Sequence, residues 1–315
     1  MTYSNDLSSY RNGTLSATER IRQILARANE RSELAAFAHI ADGSAMQAAA
    51  ESDERLGSGL VRPLEGCAVA IKDNISVKGM PLTCASNMLE DFHPVYNATV
   101  IEKLYDAGAI IVGKTNMDEF AMGSSNENSR FGPARHPLDP SRVPGGSSGG
   151  SAVVVADDQA HAALGTDTGG SVRQPAAFCG VYGMKPTYGR VSRYGAVAFA
   201  SSLDQIGIFA NSVEDTASVL DVISGHDPMD STSHPKAATQ AVQALGEPLT
   251  GTLRVGVLPS SMIDGCDDEI KRAYAAMIER FRAKGMESVE ITLPHQDIWI
   301  PTYFILATAE ASSNL

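Results

Sequence analysis

Two short stretches concentrate glycine and serine in a pattern that could do chemistry. Residues 145–151 read Gly-Gly-Ser-Ser-Gly-Gly-Ser, and residues 165–175 read Gly-Thr-Asp-Thr-Gly-Gly-Ser-Val-Arg-Gln-Pro. Glycine removes the side chain and lets backbone N–H groups come close to a ligand. Serine supplies a hydroxyl. A single loop of this kind is ordinarily a turn. Two of them, each beside an apolar segment, suit nucleophilic acyl transfer: one hydroxyl attacks, and a cluster of N–H groups holds the oxyanion.

A serine nucleophile needs a base, and histidine is the usual candidate. Gly145-Gly146-Ser147-Ser148-Gly149 formally fits the G-x-S-x-G elbow, with His161, His226, His234 and His295 downstream. An elbow serine sits between a strand and a helix. Residues 137–144 (PLDPSRVP) are instead a proline-rich loop, which argues against that triad. A second motif match also fails on context. Gly108 to Thr115 fits G-x-x-x-x-G-K-[ST], but its middle residues are Ala-Ile-Ile-Val, an apolar strand where a phosphate loop needs open backbone.

The elements that must position these residues alternate along the chain. Ser16 and Glu19 have capping-box spacing, and Ile21, Ile24, Leu25 and Ala28 then recur on one helical face. Residues 41–62 read as helix and loop. The apolar run from Cys67 to Ile71 reads as a buried strand that delivers Lys72-Asp73-Asn74 at its C-terminal end. Residues 98–107 predict a helix and Ala109–Val112 the next strand. Strands are expected at 160–164, 207–210 and 253–258, and helices at 213–223, capped by Ser212 and Asp215, and at 268–284. Alternation of this kind implies an α/β layered fold. The expected organisation is one domain over 1–315: a mainly helical part (1–62), a catalytic core holding the Gly/Ser loops (63–224), and a polar surface excursion (225–250).

Composition narrows the function classes. The 315 residues are 43% hydrophobic and 20% charged, ordinary for a packed core, with a formal net charge of −12. That balance argues against a direct DNA or RNA surface, which needs a basic face. Cys67, Cys84, Cys179 and Cys266 form no CxxC pair, so neither a zinc site nor a disulfide framework is expected, and no metal is assigned. The polar N-terminus lacks an apolar signal core, and no run is long enough to span a bilayer; a cytoplasmic setting is the expectation.

The run GGSSGGS at 145–151 followed by GTDTGGSVRQPAAFCGVYGMKPTYGRVSRYG at 165–195 resembles the amidase-signature family. The resemblance extends from about residue 20 to the end of the chain. It implies the fold of that family, an α/β mixed sheet covered by helices on both faces, and a Ser–cisSer–Lys triad. Carried over residue by residue, it implies Ser171 as nucleophile, Ser147 as the serine after a cis peptide, and Lys72 as base. An ordinary lysine, with a pKa of about 10.4, is protonated and cannot take a proton; burial at the end of an apolar strand would lower that value. Amides of Thr168, Gly169, Gly170 and Ser171 are expected to hold the oxyanion. Asp167 with Arg173, and Ser148, are expected in supporting roles.

Within the family, three segments look most like the glutamine-hydrolysing A subunits of tRNA-dependent amidotransferases: 117–137, 185–207 and 225–233. That resemblance implies a glutamine pocket bordered by Met122, Gly123 and Ser124. It implies ammonia passed to a B subunit that uses ATP and Mg to activate the carboxylate of mis-acylated tRNA, with a small C subunit between them. No cofactor is expected in this chain. Other readings are a stand-alone amidase on another small amide, or a non-enzymatic scaffold. Family members continue beyond the last residues here, so the fold is expected to be incomplete at the C-terminus. The groups gripping the amino and carboxylate ends of glutamine are expected to lie in that missing part.

Overall fold

A computed structural model of the protein describes residues 1–236, 238–248 and 250–315. By its internal contacts the chain, expected as one domain, divides into two compact units: Met1–Leu245 with Leu306–Leu315, and Gly246–Ile305. In the larger unit the elements run α1 (Tyr3–Asn12), α2 (Ala17–Glu30), β1 (Phe37–Ile40), α3 (Asp42–Gly57), β2 (Ala68–Lys72), α4 (Thr99–Asp106), β3 (Ile110–Thr115) and α5 (Gly149–Ala156). They continue through β4 (Ala162–Asp167), α6 (Arg173–Cys179), β5 (Tyr182–Met184), β6 (Gln205–Ala210), α7 (Val213–Ile223) and α8 (Ala241–Leu245). The smaller unit holds β7 (Arg254–Val257), α9 (Asp268–Ala283) and β8 (Glu287–Glu290); α10 (Gln296–Asn314) has residues in both.

The sheet of the larger unit is mixed, in the order β1-β3-β2-β4-β6-β5. β2 lies parallel to β3 and β4, while β1, β5 and β6 make antiparallel pairs. Side chains alternate across a strand, and here both faces are apolar. Val69, Ile71, Ile111, Leu164 and Ile208 join one core with Val100, Ile101 and Leu104 of α4 and Val219, Leu220 and Ile223 of α7. Ala68, Ala70, Ile110, Val112, Ala163 and Phe209 join the other, with Ile21, Ile24 and Leu25 of α2 and Val153 of α5. Strands buried on both faces read as continuous apolar runs rather than alternating ones, which is how 67–71 and 109–112 read. The smaller unit is a βαβ crossover, with β7 and β8 paired in parallel through α9.

The expected caps form: Ser16 Oγ accepts the Glu19 N–H, and Ser212 Oγ accepts the Asp215 N–H, each at 3.0 Å. Several boundaries differ. The strand expected at 109–112 continues through Gly113, Lys114 and Thr115, so the phosphate-loop match is strand, as its apolar centre demanded. The strand expected at 160–164 starts at Ala162 and takes in Gly165, Thr166 and Asp167, the start of the second Gly/Ser loop. The end of the first loop begins α5, which glycine's weak helix propensity hid; complete burial of Gly149–Val155 stabilises it instead. The segment expected as a surface excursion is tied inward at Asp227, which accepts Thr99 Oγ1 and Ser192 Oγ. Ala237 and Leu249, within that 225–250 range, lie outside the described residues. Among the described residues no helix is long and apolar enough to cross a membrane.

Candidate active site

Lys72 ends β2 and continues the parity of Ala68 and Ala70, the side chains of the face that packs on α5. Ser147 and Ser148 immediately precede α5. The strand end and the helix start therefore meet. Lys72 is fully buried, and its Nζ lies 2.8 Å from Ser147 Oγ and 2.9 Å from Thr166 Oγ1. Burial pushes its pKa down to about 7, against the pull of the Asp118, Asp204 and Asp167 carboxylates in the opposite direction. The peptide joining Gly146 to Ser147 is cis.

Thr166 was not singled out from the sequence, yet it holds the Lys72 amine. Its hydroxyl oxygen accepts from Lys72 Nζ and from Asn74 Nδ2, the latter at 3.1 Å. An N–H of Lys72 directed at Thr166 leaves the lone pair of the neutral amine free for Ser147. Ser148 joins the same strand end: its Oγ donates to the Thr166 carbonyl at 3.2 Å and accepts the Thr166 N–H at 3.3 Å.

Ser171 stands at the end of the second loop and is half-buried. Its carbonyl accepts the Ser148 N–H at 3.3 Å, which brings the two Gly/Ser loops together. Its hydroxyl makes no hydrogen bond among the described residues. Asp167 shapes this loop from within. One carboxylate oxygen accepts the Gly170 N–H at 2.9 Å and Arg173 Nη2 at 2.9 Å; the other accepts the Val172 N–H at 3.0 Å and Arg173 Nε at 3.1 Å. Burial pushes the Asp167 carboxyl up, but Arg173 and these amides hold it below the usual carboxylate range. The expected Asp167–Arg173 pair is thus present. It corrects one expectation: the Gly170 N–H points at Asp167, so Thr168, Gly169 and Ser171 are the loop amides left without an acceptor among the described residues. Thr168 Oγ1 donates to Asp204, whose other oxygen accepts the Phe199 and Ala200 amides at 2.8 and 3.0 Å.

Met122, Gly123 and Ser124 are exposed. Gln174 connects them to the first loop, since its Nε2 donates to the Ser124 carbonyl at 2.9 Å while its Oε1 accepts the Gly146 N–H at 3.0 Å. Gln174 and Asp118, described below, were also missed. Their sequence signals are single polar residues beside a motif, with nothing to say what they face.

The histidines do not serve the serines. His161 is fully buried, but its Nδ1 accepts the Ala68 N–H at 2.9 Å, so Nε2 carries the proton and donates to Asp6 at 2.7 Å. His226, His234 and His295 are exposed, and among the described residues they hydrogen-bond no serine. No group of three or more His, Cys, Asp or Glu side chains among the described residues could hold a metal ion.

The model of the family described as Amidase matches residues 19–315. The A subunit of a glutamyl-tRNA(Gln) amidotransferase from Salinibacter ruber is 53% identical over 283 residues, covering 90% of this chain and 55% of the relative. Its counterpart in a Synechococcus species is 50% identical over 307 residues, 97% of this chain and 63% of the relative. The chain thus spans 55% and 63% of the length of these two curated relatives. Among solved structures, the glutamyl-tRNA(Gln) amidotransferase A subunit of Thermotoga maritima superposes with a TM-score of 0.74 at 46% identity, over 79% of this chain and 55% of that one. The native peptide amidase of Stenotrophomonas maltophilia superposes with a TM-score of 0.87 at 31% identity, over all of this chain and 66% of that one. The site geometry, a family match over nearly the whole chain and relatives at half identity together mean that this chain belongs to the amidase-signature family.

Proposed function

We propose that this chain carries the glutamine-hydrolysing site of a tRNA-dependent amidotransferase, acting through Ser171, Ser147 and Lys72. The observation that carries this reading is the fully buried Lys72 amine, 2.8 Å from Ser147 Oγ and with its pKa pushed down to about 7. An amine so placed is partly neutral at physiological pH and takes a proton from a hydroxyl directed at it.

Ser171 Oγ attacks the side-chain amide carbon of glutamine. Its proton passes to Ser147 Oγ as the Ser147 proton passes to Lys72 Nζ. The amides of Thr168, Gly169 and Ser171 stabilise the negative oxygen of the tetrahedral species. The proton returns through Ser147 to the leaving nitrogen, ammonia departs, and an ester to Ser171 remains. Water then attacks that ester by the same route, releasing glutamate and restoring Ser171. Met122, Gly123 and Ser124, tethered by Gln174 beside Gly146, border the substrate.

The names of the relatives support the amidotransferase assignment over a general amidase. On that reading the ammonia is used by B and C partner subunits, with ATP and Mg on the partner and the mis-acylated tRNA held there too. The net charge of −12 suits a protein that leaves RNA to another chain. The superposition on a peptide amidase favours a second reading, a stand-alone amidase. The deciding experiment measures ammonia release from glutamine and from a small neutral amide, with residues 1–315 alone and with B and C subunits added. Glutamine turnover that appears or rises on adding the partners supports the amidotransferase. Equal turnover of both amides without partners favours the stand-alone enzyme.

A further inference from the structure

Asp118 lies just beyond β3, between the first Gly/Ser loop and the segment at 122–128. It is 1% exposed. Its N–H donates to the Ser147 carbonyl at 3.2 Å, so it is bonded directly to the proposed relay residue. Its carboxylate binds the neighbouring segment: Oδ2 accepts the Asn126 N–H at 2.9 Å and Oδ1 the Asn128 N–H at 3.4 Å. Asn126 continues the connection, with its Oδ1 accepting the Gly150 N–H at 3.0 Å at the start of α5.

Two glycines make room for this carboxylate. A Cβ on Gly146 would stand 2.2 Å from Asp118 Oδ2, and a Cβ on Gly123 2.3 Å from Asp118 Cγ. The carboxylate is thus clasped between the backbone before Ser147 and the backbone of the pocket segment. A buried carboxylate also acts on charge nearby, because low-dielectric surroundings screen it weakly. Lys72 feels it: of the groups that favour its charged form, Asp118 comes first, ahead of Asp204, Asp167 and Cys84.

We infer that Asp118 is a positioning residue, which locks the 122–128 segment against the Ser147 loop and sets a buried negative charge beside the Lys72–Ser147 pair. The role rests on the Lys72–Ser147–Ser171 reading. It adds a residue that touches neither the substrate nor the attacking serine. Asp204 and Asp167 also bear on Lys72, but they serve the second loop: Asp204 holds Thr168, and Asp167 is paired with Arg173. Asp118 alone of the three is bonded to Ser147.

The test follows covalent labelling of Ser171 by a fluorophosphonate, read by intact mass as a rate against pH on residues 1–315. In the wild type, the rate falls below about pH 7 as Lys72 gains a proton. Asp118→Asn keeps an acceptor for the Asn126 N–H but removes the charge. Its acid limb should move to lower pH, so that the ratio of rates at about pH 6.5 and about pH 9 rises roughly twofold over wild type. Gly123→Ala keeps the charge but pushes on the carboxylate from the pocket side. It should lower labelling severalfold at every pH and leave the limb where it is. An unmoved limb in folded Asp118→Asn overturns the proposal. If that variant does not fold, wild-type labelling by Gly123→Ala overturns it. Labelling that survives Ser171→Ala, or no labelling of wild type, is a separate result that removes the triad and this role together.

Discussion

Lys72 Nζ lies 2.8 Å from Ser147 Oγ, and neither residue has any exposed surface. The lysine has been taken out of water, and among the described residues no carboxylate pairs with it. Burial therefore disfavours its charged form, which is the condition for its use as a base.

Ser171→Ala should abolish amide hydrolysis and covalent labelling while leaving the fold intact. The Ser171 hydroxyl makes no hydrogen bond among the described residues, so its loss should change stability by no more than about 0.5 kcal/mol. The rate should fall by at least about 10³-fold. Denaturant melts alongside ammonia release check both halves, and a destabilised but active variant would refute the assignment.

Lys72→Arg should be nearly inactive, because a guanidinium stays protonated; a loss of roughly 10²–10⁴-fold is the scale of general base catalysis. Lys72→Met isolates the linkage to stability. The folded pKa of about 7 lies below the unfolded value of 10.5, so between them the unfolded chain binds the extra proton. Stability of the wild type should then rise with pH across that window, at up to about 1.4 kcal/mol per pH unit. It should rise less steeply in Lys72→Met. Parallel curves from chemical denaturation between about pH 7 and pH 10 would show that Lys72 is charged in the folded protein.

Thr166→Val removes the oxygen that accepts from both Lys72 and Asn74 while keeping the side chain's shape. The lysine then loses the bond that directs its lone pair. The rate should drop about 10- to 100-fold, with Thr166→Ser restoring most of it. If Val and Ser behave alike, the hydroxyl has no part in orienting the base.

Asp167 and Arg173 should be unequal partners. Asp167 is fully buried and accepts three loop amides besides the guanidinium, whereas Arg173 is half exposed. Asp167→Ala should cost about 3 kcal/mol or more and collapse the 168–171 loop, and Arg173→Ala about 1–2 kcal/mol. The Asp167 carboxyl is held below the usual carboxylate range, so its stabilisation is present above the unfolded value and is lost as pH falls through the folded one. Acid unfolding should therefore be less steep in the Asp167→Ala variant than in wild type.

Local pattern in the chain was enough to identify the fold class and the main helices and strands, while the three residues of the proposed triad came from the resemblance to the amidase-signature family. A period of two or 3.6 reports which side of an element is buried, and the Gly/Ser loops carry their own spacing. An apolar run that ends in Lys72 places the lysine at the C-terminal end of a strand, and only the structure shows it fully buried. What these residues face was settled by packing. Asp118, Thr166 and Gln174 act on Ser147, Lys72 and Gly146 across sequence separations that no local pattern records. Two more outcomes depended on it. Gly149–Ala156 became a helix against its own propensity because the core closed around it, and the Gly170 amide turned to the Asp167 carboxylate three residues earlier. His161 marks the same boundary from the other side. Its type and position allowed a catalytic base, and its neighbours Asp6 and the Ala68 amide, brought to it by long-range contacts, made it a structural residue.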